Sequence, residues 1–293
     1  GSAVAVNEGS ITVGSGGVGT WTNYANGNTY DWMFPSLGMN AETAGIFIGQ
    51  YAAAVNSGDI MVGELGIGMQ VFGRSGMPLG AGDPYRTTAF LTNDGRVAAG
   101  DNSTGLMARG RATTLVNTGT VTIGSKDLSG FDIPPAGTAG ASNFGMMGFG
   151  IQALSTYFGT LANYGTVTTG DNTIGIFNGT WANFGGYQIV TVQDEDGVVT
   201  TGDNSMGIRT EAFGQAVLAN AGRVSVGDNS VGVDMTAGRA YFDSGIIPDV
   251  GLVVQPGSVQ AVNDGIIETG DNSVGVRLAG IREDVPYSGV GIT

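Results

Sequence analysis

One short phrase returns eight times along this chain, and such a repeat restricts the fold to a stack of one small supersecondary unit. Its core is N-x-G-x-β-x-x-G, with β Ile or Val, and five copies run on into D-N-S/T-x-G-hydrophobic. Asn93–Ser103 and Asn263–Ser273 are the fullest copies. Asn163–Thr173, Asn220–Ser230 and Glu195–Ser205 also carry both halves, the last with Glu in place of the first Asn. Asn7–Gly14, Asn56–Gly63 and Asn117–Gly124 keep the first half alone.

The second Gly of the phrase falls at 14, 63, 100, 124, 170, 202, 227 and 270. The gaps of 24 and 25 define a unit, and those of 32 and 37 read as one unit with an inserted loop. Gaps of 46, 49 and 43 read as two units around a decayed phrase, at Gly140–Met146, Gly38–Ile46 and Asp249–Val254 respectively. Apolar residues alternate at period 2 in very short segments, as in Val224-Ser225-Val226 and Val231-Gly232-Val233, the pattern of a half-buried strand. Gly and Asn between these segments are expected to supply positive-φ corners. The expected fold is all-β: a single-stranded parallel β-helix solenoid, right-handed, of about 12 coils with protruding loop insertions. Residues 1–293 would form one continuous solenoid, on the order of 55–60 Å long at strand spacing.

Composition agrees with a turn-rich β fold. Gly makes up 54 of 293 residues, charged residues 12% and hydrophobic residues 41%, too apolar a mixture for disorder. The formal charge of −14 opposes binding to nucleic acid or to an anionic membrane leaflet. The chain holds no Cys and no His. It therefore offers no disulfide, no thiolate or imidazole metal ligand, and no Ser-His-Asp triad. Carboxylate pairs at Asp194/Asp196 and Glu283/Asp284 are the nearest approach to acid–base chemistry, and solvated turns explain them better. The expectation is a protein that is not an enzyme.

The second half of the phrase puts Asn102, Asn172, Asn204, Asn229 and Asn272 at equivalent corners. Asn at a turn bonds backbone with its side-chain amide, so these five are read as a structural turn ladder. Calcium is the lesser reading, because the oxygen ligands suit it but the spacing lacks the nine-residue calcium repeat of β-rolls. No cofactor is expected. Ligand contact is placed instead on the aromatic segment Trp21, Tyr24, Tyr30, Trp32 and Phe34, suited to glycan stacking or a protein hot spot. Residues 15–45 are alternatively an N-terminal cap closing the apolar column. Other loops are expected at Gly73–Thr87, Leu128–Ala139 and Met235–Pro248.

The phrase N-x-G-x-[IV]-x-x-G-D-N-S-x-G-[IV] resembles the coil repeat of passenger domains from Gram-negative autotransporters and related large surface adhesins, over Asn7 to about Gly280. The resemblance implies an exported chain at the extracellular face or bacterial cell surface, carried across the outer membrane, with a signal peptide before it and a β-barrel after it. The present sequence would then be a fragment or mature part of a longer exported protein. Its implied role is attachment or self-association, with a host or environmental surface glycan, a protein or another copy as partner, and no membrane insertion by this segment. The alternatives are a polysaccharide lyase or hydrolase on a β-helix scaffold, and a structural module of a surface layer or filament.

Overall fold

The computed structural model describes residues 3–23, 51–73, 88–127, 148–180, 188–242, 252–255 and 257–280. Among them there is no helix; every regular element is a β-strand. The first eight are β1 (Ala3–Asn7), β2 (Ser10–Val13), β3 (Val18–Asn23), β4 (Tyr51–Asn56), β5 (Asp59–Val62), β6 (Ile67–Phe72), β7 (Thr88–Asn93) and β8 (Arg96–Ala99). Then come β9 (Thr104–Asn117), β10 (Thr120–Ile123), β11 (Gly148–Asn163), β12 (Thr166–Thr169), β13 (Thr173–Thr180), β14 (Gln188–Gln193), β15 (Val198–Thr201) and β16 (Met206–Ala212). The last are β17 (Gln215–Asn220), β18 (Arg223–Val226), β19 (Val231–Ala237), β20 (Arg239–Phe242), β21 (Leu252–Gln255), β22 (Ser258–Asn263), β23 (Ile266–Thr269) and β24 (Val274–Gly280).

Two long sheets contain all but two of these strands, and every pairing within them is parallel. The smaller has the order β2-β5-β8-β10-β12-β15-β18-β23, one strand from each copy of the phrase. The larger, of 14 strands, has two branches joined by the long strands β9 and β11. The arrangement is compatible with a parallel β-helix. Each copy of the phrase thus contributes one layer, and eight layers stack among the described residues.

Direct pairing corrects the reading of the long gaps. Copies 49, 46 and 43 residues apart lie in neighbouring layers: Asn7 pairs with Asn56, Thr120 with Thr166, and Arg223 with Ile266. No intermediate coil fits between them. Leu252–Gln255, expected within a decayed coil, instead pairs antiparallel with Arg239–Phe242 as a separate hairpin. The loop expected from Met235 begins later, since Met235–Ala237 completes β19 and Met235 is fully buried.

The phrase explains the interior. Its β position forms an in-register column, Ile11, Ile60, Val97, Val121, Val167, Val199, Val224 and Ile267, one residue per layer. From Ile60 to Val224 these side chains are fully buried, each worth roughly 1.5–3 kcal/mol on transfer from water. Facing them are Leu91, Leu115, Leu161, Ile151, Ile176 and Ile208, all in one apolar cluster.

The phrase glycines fill a different need from the one expected. The described positive-φ glycines are Gly16 and Gly238, so most phrase glycines do not serve left-handed corners. They permit close stacking. A Cβ on Gly175 would stand 2.5 Å from Val199 Cγ1 and 2.7 Å from the Gly207 carbonyl oxygen, both in the next layer. The left-handed corner falls instead on the Asn that follows Asp.

Candidate interaction surface

Three features of the layers could carry function: the corner, a buried charged stack and the outer face of the larger sheet.

At the corner, Asn102, Asn172, Asn204, Asn229 and Asn272 have φ between 52° and 59°, a conformation Asn tolerates better than most side chains. Leu65 holds the same place in the second layer at φ 60°. The backbone N–H of the corner residue donates to the next layer from Leu65 to Asp101 O, Asn102 to Ser125 O, Asn172 to Asp203 O, Asn204 to Asp228 O and Asn229 to Asp271 O. Side chains add bonds: Asp127 N donates to Asn102 Oδ1, and Asn172 Nδ2 donates to Lys126 O. The adjoining carboxylates accept backbone N–H groups one layer on, Asp171 from Asp203, Asp203 from Asp228 and Asp228 from Asp271, at 2.7–2.9 Å. Among the described residues, no group of three or more His, Cys, Asp or Glu is placed to hold a metal ion.

A second amide chain, missed in the sequence, runs through the first Asn of the phrase. Asn7 donates to Asn56, Asn56 to Asn93, Asn93 to Asn117 and Asn117 to Asn163, each from Nδ2 to Oδ1 at 2.8 Å. Asn163 then donates to Gln193 Oε1 at 3.1 Å. In-register pairing puts Gln193, not Glu195, at this position. Two extra residues lengthen the turn Asp194–Gly197, which closes by a bond from Gly197 N to Asp194 O. The longer Gln side chain reaches across that turn to Gly197 O and Arg223 O. The signal was in the sequence, because a first Asn recurring in seven of the eight copies beside a buried strand end needs a partner of its own.

The charged stack lies on β16, β19 and β24. Arg209, Asp234 and Arg277 are in register, and Asp234 is 1% exposed. Arg209 Nη1 donates to Asp234 Oδ2 at 2.5 Å and Arg277 Nε to Asp234 Oδ1 at 2.8 Å. Arg209 Nη2 also reaches Glu211 Oε2 at 3.2 Å. The hydrogen bond to Asp234 holds the Arg277 guanidinium above its usual range, against the effect of its partial burial. Elsewhere on the same sheet, burial draws the Arg109 guanidinium down to about 10.

Above this stack the same column continues through Phe177, Gln152, Met107 and Gln70 to Trp21. Trp21 therefore lies on strand β3, half-buried, and not in a loop. Its indole nitrogen is enclosed, with no hydrogen-bond partner. Tyr24, Tyr30, Trp32 and Phe34 lie outside the described residues, as does most of the proposed cap at 15–45.

The outer face of the other branch has a distinct character. Two outward columns cross eight layers there. One reads Val4, Ala53, Phe90, Thr114, Thr160, Val190, Val217 and Gln260. Beside it run Val6, Val55, Thr92, Val116, Ala162, Val192, Ala219 and Val262. Neither column holds a charge, in a chain whose formal charge is −14. Val6 is 60% exposed, Phe90 41% and Val262 48%. The smaller sheet turns Asp59, Arg96, Arg223 and Glu268 outward by contrast, with Arg223 and Glu268 paired at 2.5 Å. Ala162, within the second column, is itself buried; charge is thus segregated away from this face.

The chain matches no protein-family model, no curated protein and no solved structure.

Proposed function

We propose that this chain is a non-catalytic surface scaffold of the adhesin-passenger type, a right-handed single-stranded parallel β-helix exported to the cell exterior. Its uncharged sheet face is the contact surface, for a host or environmental glycan or protein, or for another copy of the chain. One observation carries the reading. Two adjacent outward columns, eight layers deep, lack charge while the corner and the smaller sheet hold Asp, Glu and Arg. Soluble proteins rarely expose a contiguous apolar patch without a partner for it, and a β face this regular offers a broad, flat surface at little entropic cost of ordering.

The reading is tested on cells that display the chain and on cells displaying Val190→Lys/Val217→Lys. Both positions lie in one outward column, so folding is expected to survive. Attachment to surfaces or to neighbouring cells should fall at least tenfold, with display unchanged by protease shaving. Attachment equal to the parent would sink the proposal. Release of reducing sugar or unsaturated product from a polysaccharide would replace it with an enzymatic one.

A further inference from the structure

A third outward column lies beside the two described above, two residues nearer the start of each strand. It reads Thr88, Ala112, Phe158, Gln188, Gln215 and Ser258 over six consecutive layers, again without a charge. Phe158, in the fifth layer, is 52% exposed, and Phe90, in the third layer and the adjacent column, is exposed as well. Register puts small side chains beside both rings. Ala53 and Thr114 flank Phe90 in its column, and Ala112 precedes Phe158 in its own. The layer between the rings thus carries only Ala112 and Thr114 in these two columns. The rings stand apart, two layers and one column from each other, roughly 12 Å between Cα atoms.

After Phe158 the column turns to amides. Gln188 Nε2 donates to Gln215 Oε1 at 3.1 Å on the exposed surface. That bond ties the two side chains together and leaves Gln188 Oε1 as an acceptor and Gln215 Nε2 as a donor at this face. Thr114 and Thr160, in register with each other in the adjacent column, add two hydroxyls. Arg111 precedes Ala112 in the chain, but its guanidinium lies over the Tyr157 ring, 4.5 Å from the centroid. The columns themselves offer rings, hydroxyls and amides, all neutral.

Separate rings set among neutral donors and acceptors match the chemistry of an uncharged sugar chain. A pyranose has a face of C–H groups, drawn to the negative face of an aromatic ring, and a rim of hydroxyls that both donate and accept. A linear glycan repeats both along its length. An acidic glycan or a charged peptide would lose hydration here with no counter-charge in the columns to replace it. A protein hot spot would gather its rings in one packed centre, which Phe90 and Phe158 do not form. We propose that this face binds a neutral linear glycan laid across the layers, with one sugar on Phe90, a later one on Phe158, and the hydroxyls of the units beyond on Gln188 and Gln215. This presumes, as proposed above, that the uncharged sheet face is the contact surface, and assigns that surface one class of partner.

Affinity electrophoresis of the full chain tests the assignment, in gels holding hydroxyethyl cellulose, glucomannan, galactomannan or dextran, with polygalacturonate as the anionic probe. At least one neutral polymer should retard the protein, and equally so in about 1 M salt, where charge contacts are screened within ~3 Å. Phe158→Ala and Phe90→Ala should each weaken retardation about tenfold or more, and Gln188→Ala/Gln215→Ala should weaken it as well. Phe158→Trp should preserve it, all with unchanged circular dichroism. Retardation by none of the neutral polymers overturns the assignment. So does retardation that Phe158→Ala leaves intact, or binding to polygalacturonate alone that Arg111→Gln abolishes. Cell attachment separates the two possible failures. If no neutral polymer binds but Val190→Lys/Val217→Lys still abolishes attachment, the face meets a protein and only the glycan assignment falls. If attachment survives those lysines too, the contact surface falls with it.

Discussion

Asn93 Nδ2 donates to Asn117 Oδ1 at 2.8 Å, and neither residue has any solvent exposure. Each is the first Asn of its phrase, and each also bonds the Gly two residues on, Asn93 to Gly95 O and Asn117 to Gly119 O, both at 3.3 Å. One amide therefore ties its own turn and locks two layers in register.

Asn117→Ala should be costly. It deprives Asn93 Nδ2 of its acceptor and Asn163 Oδ1 of its donor. At ~1–3 kcal/mol for each orphaned buried group, the loss should be about 2–6 kcal/mol in denaturant unfolding. Asn263→Ala, in the exposed last described layer, should lower stability by well under half as much.

Leu65→Gly should stabilise. Leu65 sits at φ 60° with 61% of its surface exposed, at the corner where every other layer except the fourth, with Lys126, has Asn or Gly. Relief of left-handed strain in a side chain with no burial to lose should add about 1 kcal/mol, read as a raised denaturant midpoint. Leu65→Asn should give a similar gain.

Gly175→Ala and Gly275→Ala separate stacking from propensity. A methyl at 175 collides with Val199 and the Gly207 carbonyl, whereas at 275 it meets nothing within 4 Å. The first should destabilise by about 1–3 kcal/mol through overpacking; the second should be within about 0.5 kcal/mol of the parent, the range for unhindered surface changes. Val199→Ala in the Gly175→Ala background should recover part of the loss, because the carbonyl contact remains.

Asp234→Ala should cost about 3–5 kcal/mol, since it removes the in-register carboxylate that pairs with the buried Arg209 guanidinium and with Arg277. Replacing the stack together, Arg209→Met/Asp234→Leu/Arg277→Met, removes the charges in register and should restore stability to near the parent. Urea unfolding of the two variants checks both values.

The sequence foretold the strands best where period and phrase coincide. Val97, Val121 and Val199 were recognisable as core because each follows Gly by two residues and alternates with exposed neighbours. The corner residues Asn102 to Asn272 were also visible, as a side chain that tolerates left-handed backbone recurring after Asp. The coil count was not. A gap of 43 and a gap of 25 look like two units and one, yet Asn220 pairs with Asn263 as directly as Val198 pairs with Arg223. Chain length between layers leaves no trace in register, because a loop of any length can leave the stack and return. Gln193 was overlooked because two extra turn residues moved it out of the phrase's spacing.

What the sequence determined by itself was the all-β unit and its stacking: alternation sets which side chains face inward, and the recurring Asn and Gly mark where layers touch. Tertiary structure alone decided the rest. Arg209, Asp234 and Arg277 each follow the D-N-S-x-G-hydrophobic phrase by one residue, but they are 25 and 43 residues apart and only interlayer pairing makes them neighbours, and the uncharged face is assembled from two residues of each layer. Such features exist only in the direction perpendicular to the strands. Adjacency there is fixed by interlayer hydrogen-bond register, about 4.8 Å per step, and not by distance along the chain.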